Sequence, residues 1–299
     1  MTSKFGKKVP GGTFRLLDGN EMPMIGLGTY DLRDQDEVDF AVNAALEHGY
    51  RLFDTANYYR NETQLGNAFK KVLPTHNLTR ENIFITTKAN IRSGDVERNA
   101  RAMIDNSLRC LQTSYIDLVL IHYPKDWGVP DNNPSNPQDR QRMYKVLEEY
   151  KDSGKARSIG VSNYETRHIE EIWNTSRHRP TVNQCEFHPH LTRRELVDYC
   201  KTKGIFFQAH TSLAKQSRSL YEDRTVNEIA GKHDVTIPQL LLAFAHFQGI
   251  GVIPKSADEE RIILNLKLLH APLTHPEILK LNALNCNRSY SDCDGWNVL

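Results

Sequence analysis

No apolar stretch in the 299-residue chain approaches the ~20 residues a membrane-spanning helix needs, and the first residues lack the apolar segment of a secretion signal. Cysteine is scarce. The five present (Cys110, Cys185, Cys200, Cys286 and Cys293) are odd in number and form no CxxC pair. A disulfide framework and a zinc knuckle are therefore not expected, and the usage predicts a reducing compartment, the cytosol. Charge of one sign is also lacking: 38 Lys plus Arg oppose 37 Asp plus Glu, for a formal net charge of +1. Such a balance gives no overall attraction to nucleic acid or to an anionic membrane. Lys4, Lys7 and Lys8 make the start locally basic, which reads as a solvated tail. Low-complexity tracts and composition breaks are missing too, so residues 1–299 are expected to form a single domain.

What the chain does have is a repeating rhythm. Short apolar runs begin near residues 24, 51, 83, 116, 157, 181, 205 and 250, and each precedes a stretch with helical spacing. Helices are predicted over 34–48, 62–72, 95–111, 141–151, 165–174, 193–203, 225–233, 238–247 and 259–269. Ile116 to Ile121 is continuously apolar, the pattern of a strand covered on both faces. Eight strand-then-helix units favour an α/β fold of the closed (β/α)8 TIM-barrel type over an open sheet. Thr13 to Leu17, turning at Asp18-Gly-Asn20, predicts a β-hairpin outside the barrel, and extra helices are expected near the C-terminus. Pro124 to Pro137 holds four prolines and three asparagines, which predicts a long loop.

Chemistry in such a barrel sits at the C-terminal ends of the strands. Strand two ends at Asp54, followed by Tyr58 and Tyr59; strand three ends at Lys88, and strand four at His122. Taken singly, each has an ordinary structural explanation: a loop cap, a solvated lysine, a hydrogen-bonded core histidine. Together, at consecutive strand ends, they suit carbonyl reduction, which needs a proton donor at oxygen beside a hydride donor at carbon. A phenol is a weak acid, and a neighbouring ammonium stabilises its phenolate and lowers its pKa. A carboxylate would keep that ammonium from being buried unpaired, and an imidazole would steady the charge developing on oxygen.

Several longer motifs carry a resemblance. They are Gly26-Leu-Gly-Thr29, Asp54-Thr-Ala-Asn-Tyr-Tyr-Arg-Asn-Glu62, Ile121-His-Tyr-Pro124, Gly160-Val-Ser-Asn163, Asn183-Gln-Cys-Glu-Phe-His-Pro189 and Ile253-Pro-Lys-Ser256 followed by Arg261. In this order the sequence resembles an aldo-keto reductase over nearly its whole length. The resemblance implies a catalytic tetrad of Asp54, Tyr59, Lys88 and His122, selecting Tyr59 over Tyr58. It also implies a small carbonyl substrate and a monomer.

A complete GxGxxG fingerprint and a GxxxxGK[ST] phosphate loop are both missing, so a nicotinamide cofactor would bind without a Rossmann domain. By the resemblance, Ser162, Asn163 and Gln184 hold the nicotinamide amide, and Gly28, Thr29 and Leu213 also lie at the cofactor. Lys255 and Arg261, with Ser256, offer donors to a ribose 2′-phosphate, which favours NADPH over NADH. Asn265 matches the adenine contact. His210 stands where the family usually carries an aromatic ring beneath the nicotinamide, and the short span from Leu213 to Thr225 leaves no room for a long belt over the pyrophosphate.

Tyr30, Tyr58, Tyr123 and Trp127 are expected around the pocket mouth, with Ala89 and Asn90 making one wall small and polar. The tail from Tyr290 to Trp296 either folds over the opening or is a loose end. Two other functions compete with an NADPH-dependent reductase of small aldehydes or dicarbonyls. One is a cofactor-binding regulatory or structural protein on the same barrel, with little turnover. The other is a barrel isomerase or metal hydrolase using Glu186, His188 and His190; the resemblance makes that segment structural, and no metal is expected.

Overall fold

The computed structural model describes residues 4, 5, 9–291, 293 and 295–299. A short antiparallel pair, β1 (Thr13–Arg15) and β2 (Glu21–Pro23), precedes the barrel and turns through Gly19 at φ +86°. This is the expected hairpin. Eight parallel strands follow: β3 (Leu27–Gly28), β4 (Leu52–Asp54), β5 (Phe84–Ala89), β6 (Ile116–Ile121), β7 (Ala156–Ser162), β8 (Val182–Glu186), β9 (Phe206–His210) and β10 (Gly251–Val252). Neighbours in sequence are neighbours in the sheet.

The last strand meets the first. Gly26 N–H donates to Val252 O (2.9 Å), Val252 N–H to Met24 O (2.8 Å) and Gly28 N–H to Pro254 O (3.0 Å), closing the sheet into the expected barrel. Gly28 permits this seam, because a Cβ there would lie 2.6 Å from the Ile253 carbonyl oxygen. Side chains alternate across every strand. Leu52, Phe84, Leu118, Leu120, Val182, Phe206 and Ile253 fill the inside, while Ile85, Val119, Ile121, Ile159 and Ala209 pack outward against the helices.

Those helices are α1 (Gln35–Glu47), α2 (Glu62–Val72), α3 (Val96–Cys110), α4 (Asn136–Asp152), α5 (Thr166–Thr175), α6 (Arg194–Lys203), α7 (Arg218–Tyr221), α8 (Arg224–Lys232), α9 (Ile237–His246), α10 (Glu259–Leu266) and α11 (His275–Asn282). Local chemistry starts and stops them. Asp34 and Asp95 accept from backbone N–H groups of the first turns of α1 and α3, and Gly204 ends α6 in the left-handed region. The expected extra C-terminal helix is α11. Among the described residues no helix is long and apolar enough to cross a membrane, and Cys110, Cys185, Cys200 and Cys286 are free thiols.

Three expectations need adjustment. α4 begins at Asn136, five residues before the predicted 141, because Pro137 occupies the first turn, where its missing N–H costs nothing. α7 is a single turn inside the span read as connection. Lys4 is not part of a solvated tail: its ammonium meets the fully buried carboxylate of Asp117 at 2.8 Å, on the side of the barrel opposite the strand C-termini. Lys7 and Lys8 lie outside the described residues.

The seam yields a prediction. Gly28→Ala should destabilise the protein by roughly 1–3 kcal/mol, the usual cost of overpacking a tight backbone approach. Chemical denaturation measures it, and an unchanged midpoint would mean the seam relaxes freely.

Candidate active site

Four of the expected site residues converge at the C-terminal ends of β4, β5 and β6. Lys88 emerges inside the barrel, only 1% exposed, and each proton of its ammonium has an acceptor. Its Nζ lies 2.5 Å from Asp54 Oδ1, 3.0 Å from the Thr55 carbonyl oxygen and 3.1 Å from the Tyr59 hydroxyl. Asp54 uses its second oxygen to accept from Gln184 Nε2 at 2.7 Å.

The loop after β4 brings the phenol back over the lysine. Asn57–Tyr59 forms one 3-10 turn, and Arg60 ends it in the left-handed region at φ +59°. Thr55 Oγ1 donates to Asn61 Oδ1, and Asn61 Nδ2 donates to the Thr29 carbonyl, tying the loop to the end of β3. Thr29 also donates its hydroxyl to the Asp54 carbonyl at 2.9 Å. Tyr59 is half-buried with its hydroxyl on Lys88, whereas Tyr58 points to solvent. Geometry thus separates the two tyrosines as the resemblance had done.

The His122 ring packs edge-on to Tyr59 with centroids 5.8 Å apart. Burial, the Lys88 charge and His210 hold its pKa well below the usual imidazole value, so it is neutral at pH 7. Burial opposes charge on Lys88 as well, but Asp54 and Tyr59 outweigh it and keep the amine above its ordinary value. Tyr59 departs from expectation. Burial raises its pKa, and the Lys88 charge only offsets part of the rise.

Around this group lies a second polar ring. Ser162 Oγ donates to the Gln184 carbonyl (2.8 Å), and Asn163 Nδ2 donates to the His122 carbonyl (2.9 Å). His210 Nε2 meets Asn163 Oδ1 at 2.9 Å, and burial lowers the His210 pKa to about 4. Gln208, on β9 beside Gln184, accepts from it at 2.8 Å. Sequence reasoning missed Gln208, although a glutamine alternating with Phe206 in a buried strand was a visible signal. Gly28 belongs to the barrel seam, and Leu213 is half-buried beyond β9.

The expected phosphate-binding residues gather where β10 leads into α10. Lys255 and Arg261 are exposed, Ser256 is buried with its hydroxyl donating to the Asp258 carbonyl, and Asn265 is buried on α10. Asp258 caps α10 by accepting from Arg261 N–H, and the Arg261 Nε lies 3.8 Å from the same carboxylate. At the mouth, Tyr30, Tyr58 and Trp127 are exposed, but Tyr123 is not. It is buried beneath Trp127, stacked on it at 4.1 Å, and therefore forms the floor under the rim.

The profile of the Aldo/keto reductase family matches residues 24–285. This chain belongs to the aldo/keto reductase family. It is 36% identical to a glyoxal reductase of Bacillus subtilis, with 91% of this chain and 92% of that protein covered. Identity to an aldose reductase of Encephalitozoon cuniculi is 35%, covering 95% and 97%. A solved aldo-keto reductase of Bombyx mori, in complex with NADP, superposes with TM-score 0.86 at 32% identity, covering 97% of each chain. Carbonyl reduction is the chemistry of this family.

The C-terminal strap of this aldo/keto reductase is latched rather than loose. Glu186, at the end of β8, accepts from His188 Nε2 (2.8 Å), Ser289 Oγ (2.7 Å), Tyr290 N–H (2.7 Å), and both the N–H (3.0 Å) and hydroxyl (2.5 Å) of Ser291. His190 turns away to the Tyr290 hydroxyl at 2.8 Å. Asp292 and Asp294 lie outside the described residues, but beyond them Gly295 packs on the Asn163 carbonyl, and His168 and Arg167 bond the Val298 carbonyl. Burial alone would raise the Glu186 pKa; the hydrogen bonds from His188, Ser291, Ser289 and Tyr290 outweigh it and bring it to about 2.

A carboxyl depressed in the folded state stabilises above its unfolded pKa of about 4.3, and that contribution fades as pH falls toward the folded value. Glu186→Gln should therefore cost about 1–3 kcal/mol at pH 7, with the gap to wild type narrowing between pH 4.5 and pH 2. Urea unfolding across that range tests it; a gap independent of pH would remove Glu186 as the ionised latch.

Proposed function

We propose that this protein is an NADPH-dependent reductase of aldehydes and ketones, with Tyr59 as the general acid. The observation that carries the reading is the buried Lys88 ammonium shared between the Asp54 carboxylate at 2.5 Å and the Tyr59 hydroxyl at 3.1 Å. The residues present suit the cofactor: exposed Lys255 and Arg261 offer cations to a 2′-phosphate, and Ser162, Asn163 and Gln184 line up amide and hydroxyl groups beside His122. When bound, NADPH supplies the hydride for the carbonyl carbon.

The chain's own groups handle the oxygen. His122, neutral and packed against Tyr59, donates a hydrogen bond to the carbonyl oxygen and points it at the phenol. Tyr59 transfers its proton to that oxygen, leaving a phenolate. Lys88 stabilises the phenolate through the hydrogen bond already in place, and this selective support of the charged form is what makes a high-pKa phenol useful as an acid. Asp54 keeps the lysine charged throughout, and Gln184 fixes the carboxylate. Small reactive carbonyls and dicarbonyls are the favoured substrate class; Ala89, expected in the pocket wall, instead packs outward in the core between barrel and helices, while the polar Asn90 is buried at the end of β5.

Replacing Tyr59 with Phe should lower turnover by about 100-fold or more while largely sparing NADPH binding, read by fluorescence quenching. Retained turnover would remove Tyr59 as the acid; tight NADPH binding by the wild type with no aldehyde turned over would favour a regulatory role. Arg261→Ala should raise the NADPH KM about tenfold and leave the NADH KM nearly unchanged. Equal effects on both cofactors would sink the 2′-phosphate assignment.

A further inference from the structure

One buried carboxyl beside the site takes no part in the reaction above. Glu62, the first residue of α2, is 4% exposed, and its partners are two hydroxyls and an amide, with no cation among them. Its Oε1 accepts from Thr87 Oγ1 at 2.6 Å and its Oε2 from Ser107 Oγ at 3.0 Å, and the Asn57 side-chain amide donates to the same carboxyl. Burial raises the Glu62 pKa, and these three bonds offset part of the rise. Burying a carboxyl without a counter-charge is unfavourable, and the three bonds are its compensation.

The donors come from three separate elements. Thr87 lies on the outward face of β5, next in sequence to Lys88; Ser107 lies on α3; Asn57 opens the 3-10 turn that ends at Tyr59. One carboxyl therefore joins the strand that carries the amine to the turn that carries the phenol. Within that turn, Tyr59 N–H donates to the Ala56 carbonyl at 2.9 Å and Arg60 N–H to the Asn57 carbonyl at 3.3 Å. Two such bonds do not make a single 3-10 turn stable on its own. Asn61, bonded to Thr55 and Thr29, fixes the far end of the loop. Glu62 braces its middle from the helix side of β5.

We infer that Glu62 is a positioning residue that, through Asn57 and Thr87, holds the Tyr59 hydroxyl in place on the Lys88 ammonium. The inference rests on the reading of Tyr59 as the acid and adds to it. The contact being held is the 3.1 Å bond through which Lys88 stabilises the phenolate. Displacing a reacting group by about 1 Å can lower a rate by about 100-fold. Loss of the brace therefore falls on turnover and leaves cofactor binding alone.

Two substitutions test this. Asn57→Ala cuts the tie to the turn and leaves the carboxyl with its two hydroxyls, whereas Glu62→Met removes the whole brace at similar side-chain length. Each should lower kcat about tenfold or more, with the aldehyde KM and the NADPH Kd, read by fluorescence quenching, within about twofold of wild type. In the Tyr59→Phe background neither should lower the residual turnover further, because the group they position is gone. A loss of the same size in that background overturns the inference, as does an undiminished kcat in folded Asn57→Ala or an NADPH Kd that rises in step with the loss. Should Glu62→Met not fold, Asn57→Ala decides alone. Should Tyr59→Phe by itself turn over like wild type, the acid assignment fails and the inference goes with it.

Discussion

The Asp54–Lys88 ion pair is the constraint around which the site is built. Two opposite charges sit inside a closed barrel, 2.5 Å apart and almost wholly shielded from water. Such a pair is weak evidence of stability, since desolvation consumes much of the Coulomb attraction. Its value lies in what it forces on its surroundings. The ammonium has three protons to place, and the third goes to the Tyr59 hydroxyl because Asp54 and the Thr55 carbonyl take the other two. The loop from Thr55 to Asn61 is shaped to deliver that hydroxyl, with left-handed Arg60 near its end, an internal Thr55–Asn61 side-chain bond, and Asn61 Nδ2 donating back to Thr29 just after β3.

From the carboxylate the constraint spreads around the barrel mouth. Gln184 bridges Asp54 to Gln208, Ser162 bonds the Gln184 backbone, and Asn163 links the His122 backbone to His210. The end of the chain then locks onto this ring. Glu186 grips residues 289–291, and Gly295 seats on the Asn163 carbonyl, where any larger side chain would displace it. Arg140, itself fully buried, bonds both the Pro124 and Leu299 carbonyls, so the loop after β6 and the C-terminus share one anchor. The strap is thus part of the wall, not an appendage.

Much of this was readable in one dimension. Strand ends at Asp54, Lys88 and His122 followed from periodicity, and barrel architecture placed them on one rim. The resemblance picked Tyr59 from the adjacent pair, and the loop geometry agrees. Other features were not readable for specific physical reasons. The Tyr59 phenol is raised rather than lowered, because burial is a property of the packed site and not of the nearest charge alone. Tyr123 went to the floor and not the rim because Trp127 stacked over it. Glu186 and His188 have metal-ligand spacing, yet they bond each other, and the rest of the Glu186 carboxylate is taken by two serines and two backbone amides about a hundred residues downstream.

The order of residues by itself determined the eight strand-helix units, the hairpin before them, and which acid, amine and imidazole end neighbouring strands on one rim of the barrel. These follow from short-range rules: alternation in strands, helical spacing, caps and turn residues. Tertiary structure alone decided the closure of β10 onto β3 at Gly28, the latching of the strap by Glu186, and the pairing of Lys4 with Asp117. Each depends on atoms distant in the chain being brought within a few ångströms, and neither hydropathy nor spacing encodes which buried polar groups will find partners once they arrive.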